Sequence, residues 1–202
     1  MLEKDFLQSE RYVSFELGED YLYDGIEHDN CGNSKTFSNE FIKQYQAICS
    51  EVDVILKSIC LELGNQSAND MKNGYTPIVL QNWVNINAQK VRFKDLELQP
   101  FSNWQQEPNY KSPDWWTPYN NVKHERLFNY HKANLKNVLN ALAGLYILEN
   151  YLVKFIGDRD NDSDVPNDIS LIFGMIDFET RETVIGKDSY LITSKDIDEL
   201  WK

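Results

Sequence analysis

Leu135, Val138, Leu139, Leu142, Leu145, Tyr146, Leu148, Leu152 and Phe155 make the stretch that carries them apolar around much of a helix's circumference. A helix that is apolar around most of its circumference is stable only when other elements cover it. This stretch therefore predicts the central helix of a bundle. Earlier in the chain, Phe41, Tyr45, Ile48, Cys49, Val52, Ile55, Leu56, Ile59, Cys60 and Leu63 recur at spacings of three and four. Ser38 stands before them as an N-cap and Gly64 after them as a C-cap. Each long helix has an apolar face to bury, so the two are expected to be antiparallel neighbours with Ile55 and Leu142 in the core.

The remaining elements are shorter. Tyr12, Val13, Phe15 and Leu17, then Tyr21 to Tyr23, alternate weakly and predict a short strand or two before a loop that ends at Ser34. Thr76-Pro77 and Thr117-Pro118 each read as an N-cap followed by proline at the first helical position, opening helices to about Val84 and about Arg126. Val91, Phe93, Leu96 and Leu98 around Lys94-Asp95 predict a small hairpin. Beyond Gly157 an Asp-rich joint leads to strand candidates at Ser170 to Ile176 and Tyr190 to Thr193, and to a terminal helix capped by Ser194. The expected fold class is mainly α, a bundle of four to five helices with small β additions. Residues 1–156 form the bundle with its N-terminal extension, and 157–202 an acidic joint with a small, peripheral α/β tail.

Charge and composition narrow the function. The formal charge of −12 disfavours broad, non-specific binding to a phosphate backbone. The start lacks the basic and apolar regions of a secretory leader, and the longest apolar run, Ala141 to Leu148, is far short of the roughly 20 residues that span a bilayer. A cytoplasmic protein without a membrane partner is expected. Cys49 and Cys60 sit on one helix face about 16 Å apart, too far to bridge, and read as core thiols. His28-Asp-Asn-Cys31 has no second Cys/His pair at ligand spacing. The run Asp158, Asp160, Asp162, Asp164 lacks the Gly and the Glu that a calcium loop requires at its sixth and twelfth positions. No metal or other cofactor is expected.

One segment departs from the acidic background. Two of the three histidines fall within Tyr119-Asn-Asn-Val-Lys-His-Glu-Arg-Leu-Phe-Asn-Tyr-His131. From Val122 to Lys136 four cations, Lys123, Arg126, Lys132 and Lys136, face one carboxylate, Glu125, so the window carries +3 and the rest of the chain −15. An anion settles on such an island. On a helix from Pro118, Asn120 and His124 lie one turn apart, with Lys123 and Arg126 beside them. A histidine to take a proton, an amide to orient it and cations to hold phosphate are the parts needed to activate a ribose 2′-hydroxyl.

The order of these features, a long amphipathic helix, a polar motif ending in His and then a long apolar helix, resembles the HEPN (higher eukaryotes and prokaryotes nucleotide-binding) superfamily over roughly Ser38 to Phe155. Tyr119-Asn120-Asn121-Val122-Lys123-His124 carries the family's Asn and His, with Tyr119 where the family has Arg. Arg126-Leu127-Phe128-Asn129-Tyr130-His131 carries the Arg and the His, with Leu127 at the polar position. The resemblance implies a bacterial stress or phage-defence protein, a metal-independent RNase that dimerises so that two motifs share one cleft. His124, Arg126 and His131 are then the catalytic candidates, Lys123, Asn120 and Lys132 the phosphate or RNA contacts, and Trp115, Trp116 and Tyr119 the homodimer interface. RNA or a partner protein such as an antitoxin is the expected ligand. The rival reading is a non-catalytic helical interaction or nucleotide-binding protein.

Overall fold

A computed structural model describes residues 1–17, 32–160 and 170–178, together with the backbone of four short strands at 21–23, 26–28, 183–185 and 190–192. The protein is mainly helical with a small antiparallel sheet. Among the described residues, no helix is long and apolar enough to cross a membrane.

Helix α1 covers Leu2–Ser9. Tyr12 to Leu17, expected as strand, follow it as turn and irregular chain, and Phe6 and Phe15 stack at 4.4 Å inside the core. Strands β1 (Tyr21–Tyr23) and β2 (Ile26–His28) pair as an antiparallel hairpin.

Helix α2 runs Asn39–Glu62 and has the ends its sequence predicts. The Ser38 hydroxyl accepts from the Phe41 amide at 3.0 Å. At the other end Gly64 adopts φ +86°, and the Asn65 and Gly64 amides donate to the Cys60 and Leu61 carbonyls, a Schellman closure that suits glycine.

Helix α3 (Thr76–Asn82) does not begin at a Thr76 cap. A π-turn over Met71–Tyr75 precedes it, capped by Asp70, whose carboxylate accepts from the Asn73 amide at 2.8 Å. Thr76 is instead a buried link, its hydroxyl donating to the Met71 carbonyl and accepting from the Trp104 indole. Strands β3 (Lys90–Phe93) and β4 (Leu96–Leu98) form the expected hairpin, with Lys94 at φ 52° in the turn.

Three further helices complete the bundle: α4 (Trp116–His124), α5 (Arg126–Asn129) and α6 (Leu135–Asp160). Helix α6 extends beyond the boundary expected at residue 156. Strand β5 (Phe173–Ile176) then pairs with the free edge of β3, giving the order β4-β3-β5 with Phe93 opposite Phe173. Phe173 is buried 5.5 Å from the Tyr146 ring and 5.7 Å from Phe93. Strand β5 is thus tied to the bundle through its pairing with β3 and through Phe173, the buried residue of 170–178, while Leu171 is exposed. Strands β6 (Thr183–Ile185) and β7 (Tyr190–Ile192) form a separate hairpin, while the acidic stretch 161–169 and the predicted terminal helix lie outside the described residues.

Helices α2 and α6 are neighbours, but they run parallel. The Leu135 and Lys136 amides at the start of α6 donate to the Thr36 and Ser34 carbonyls just before α2. At the far end the Arg159 guanidinium pairs with Glu62. Seventy-odd residues separate the two helices in sequence, and this length lets the chain return to its starting end before α6 begins. The returning segment brings Trp115 onto α6, where a Cβ added at Gly144 would stand 2.8 Å from the indole. Glycine is required there for that close approach.

A cavity of about 570 Å³ lies between α1, α2 and α6, lined in part by Glu3, Glu51, Leu142, Tyr146 and Glu149. Burial, with the Glu3 and Glu51 carboxylates nearby, raises the Glu149 pKa, and the Met1 amino group offsets part of that rise. The folded chain therefore holds this proton more tightly than the unfolded chain, and ionised Glu149 costs stability above its folded pKa. Glu149→Gln is expected to raise the melting temperature at pH 7. The gain should vanish as pH falls below the ordinary glutamate range, where wild type is protonated in both states. A thermal-melt series across pH checks it.

Candidate functional site

The basic island sits where α4 ends. Lys123 and His124 occupy the last turn of α4, a placement favoured by the helix dipole. Glu125 breaks the helix with φ −135°, ψ 56°, and α5 starts afresh at Arg126.

Three asparagine side chains fix the backbone that follows. Asn129, buried, donates to the Glu125 carbonyl at 2.9 Å, Asn134 to the His131 carbonyl at 3.1 Å, and Asn137 to the Lys132 carbonyl at 2.8 Å. Asn134 also caps α6 by accepting from the Asn137 amide. The main chain is held by these amides while the side chains of His124, Arg126 and His131 are exposed. Lys123 is exposed as well, and Asn120 and Lys132 are half-buried.

The cations are held individually. The Lys123 ammonium lies 5.7 Å from the centre of the Tyr119 ring, a cation–π contact. Arg126 donates to the Gln46 side-chain oxygen on α2 at 3.0 Å. None of the ion pairs among the described residues involves Lys123, Arg126, Lys132 or Lys136.

The aromatic residues expected at a dimer interface lie inside the protomer. Trp115 is 1% exposed, its indole donating to the Pro100 carbonyl at 2.9 Å, and Trp116 is 8% exposed against Trp115 and Tyr119. Tyr119 packs edge-on against Tyr45, whose hydroxyl donates to the Trp115 carbonyl. Burial pushes the Tyr45 hydroxyl pKa well up, so it stays protonated as a structural donor. These rings are buried within the single chain: Trp115, Trp116 and Tyr119 pack in its own core. Tyr119, at the position where the first motif match would have Arg, is a core residue that seats Lys123.

Two residues beside the motif were not singled out by sequence reasoning. Leu127 and Phe128 are 78% and 77% exposed on α5, with Tyr130 partly exposed next to them. Nothing local in the sequence marks them, because apolar residues before a core helix read as more core. Gln46, Asn129, Asn134 and Asn137 were likewise missed, although polar residues that recur beside a motif are a signal that its backbone is fixed by side-chain amides.

Burial raises the Cys49 thiol pKa well above its ordinary value and pushes Cys60 up to about 11, so both are inert core thiols. Among the described residues, no group of three or more His, Cys, Asp or Glu side chains is arranged to hold a metal ion. Comparison with known protein families, curated proteins and solved structures returns no match.

Proposed function

We propose that the α4–α5 surface binds RNA and cleaves it without a metal, in the manner the HEPN-like motif implies. The observation that carries this reading is one continuous segment in which two exposed histidines stand among four cations that take part in none of the ion pairs among the described residues. His124 is assigned as the general base that takes the proton of a ribose 2′-hydroxyl, and His131 as the group that returns a proton to the leaving oxygen. Lys123 and Arg126 stabilise the charge that develops on phosphorus, with Asn120 and Lys132 as flanking contacts. Phe128 and Tyr130 offer ring faces on which unpaired bases stack.

A salt titration with a labelled single-stranded oligoribonucleotide tests the binding half. Log affinity should fall linearly with log salt, and each of Lys123→Ala, Arg126→Ala and Lys132→Ala should reduce the slope by about 0.7. Slopes identical to wild type in all three variants contradict the reading.

A further inference from the structure

Exposed leucine is poorly explained by RNA. Nucleobases stack on an aromatic face, and Phe128 supplies one, but Leu127 has none to offer. Yet Leu127 and Phe128 stand side by side on α5, both more than three-quarters exposed, with Lys123, Arg126 and Lys132 close in sequence. Two large exposed apolar side chains in a segment where Lys123, Arg126 and Lys132 outnumber the one carboxylate, Glu125, suit a protein segment that carries apolar residues among aspartates and glutamates, since buried apolar area supplies affinity and the charges supply orientation and rate.

A second copy of this chain fits less well. Opposed patches would set +3 against +3, and two side chains fall far short of the roughly 800 Å² per partner that a stable dimer buries. The neighbouring rings of Trp115, Trp116 and Tyr119 are already buried and cannot enlarge the patch. A short acidic segment needs less area and meets complementary charge.

We infer that the α5 edge is the docking place of an acidic, apolar-bearing segment of another protein, which covers Leu127 and Phe128 and engages the same cations as RNA. Docking and RNA occupancy then exclude each other. That consequence rests on the function proposed above, while the docking itself does not.

The test uses the full chain and a fluorescently labelled short peptide in which Leu and Phe alternate with Asp and Glu, read by anisotropy in low salt and without RNA. Oligoglutamate of equal charge is the control. The peptide should bind about tenfold or more tightly than oligoglutamate, and the double variant Leu127→Ser, Phe128→Ser should lose about tenfold or more in affinity for it. Both substitutions are at exposed positions, and circular dichroism checks that the fold is kept. Unlabelled peptide should also release bound oligoribonucleotide.

Peptide binding that is absent, equal to that of oligoglutamate, or unchanged in the double variant overturns the inference. So does a single Leu127→Ser variant that loses RNA affinity as strongly as peptide affinity, because Leu127 would then be an RNA contact. A protein that binds the peptide but never RNA overturns the nuclease reading alone.

Discussion

Trp115→Ala is expected to cost about 3 to 5 kcal/mol of stability, a large part of the roughly 5 to 15 kcal/mol that holds a domain of this kind together. Four contacts disappear together. The indole fills the space above Gly144 on α6, it lies 5.9 Å from both the Phe101 and Trp116 rings, and its N–H satisfies the Pro100 carbonyl. Alanine leaves a cavity that rigid helices close only partly, and an acceptor without its donor. The loss reaches the surface proposed to bind RNA as well, since α4 begins at Trp116 and carries Lys123 and His124 in its last turn. Urea denaturation of wild type and variant measures the cost, and a difference below 1 kcal/mol would mean that Trp115 is not the centre of the core described here.

His124→Ala is expected to slow RNA cleavage by about 10²- to 10⁴-fold while leaving the fold intact, because the side chain is exposed and none of the described hydrogen bonds uses its ring. RNA affinity should change little, since Lys123, Arg126 and Lys132 carry the charge. The two readouts separate the roles. A variant that loses binding and rate together would make His124 a contact, and one that loses neither would move the proton transfer to His131.

The features that depend on near neighbours in sequence were legible. Ser38 and Gly64 bracket α2 because cap chemistry is local, and the β3–β4 hairpin follows from alternation around Lys94-Asp95. The strand at Phe173 was visible too, but not its partner, because pairing with β3 is decided across some eighty residues. The direction of α6 against α2 was misread for a related reason. Short loops make helices antiparallel, whereas the long return through α3, the hairpin and α4 leaves the direction to packing. Helix α1 escaped notice because eight residues with Leu2 and Phe6 on one face give little periodicity. At the site, the cluster of His124, Arg126 and His131 was legible as composition. What was hidden is the division between inside and outside: Trp115, Trp116 and Tyr119 are buried, and Leu127 and Phe128 are exposed. Both depend on where α4 crosses α2.

The central claim is that this surface performs metal-independent RNA cleavage, and the most direct measurement is a single-stranded RNA digest by purified wild-type protein in excess EDTA, with the ends of the fragments identified. The account predicts fragments that end in 2′,3′-cyclic phosphate, since the attacking group is the neighbouring 2′-hydroxyl. RNA left intact at protein concentrations that saturate binding, or cleavage that appears only when a divalent metal is restored, would contradict it.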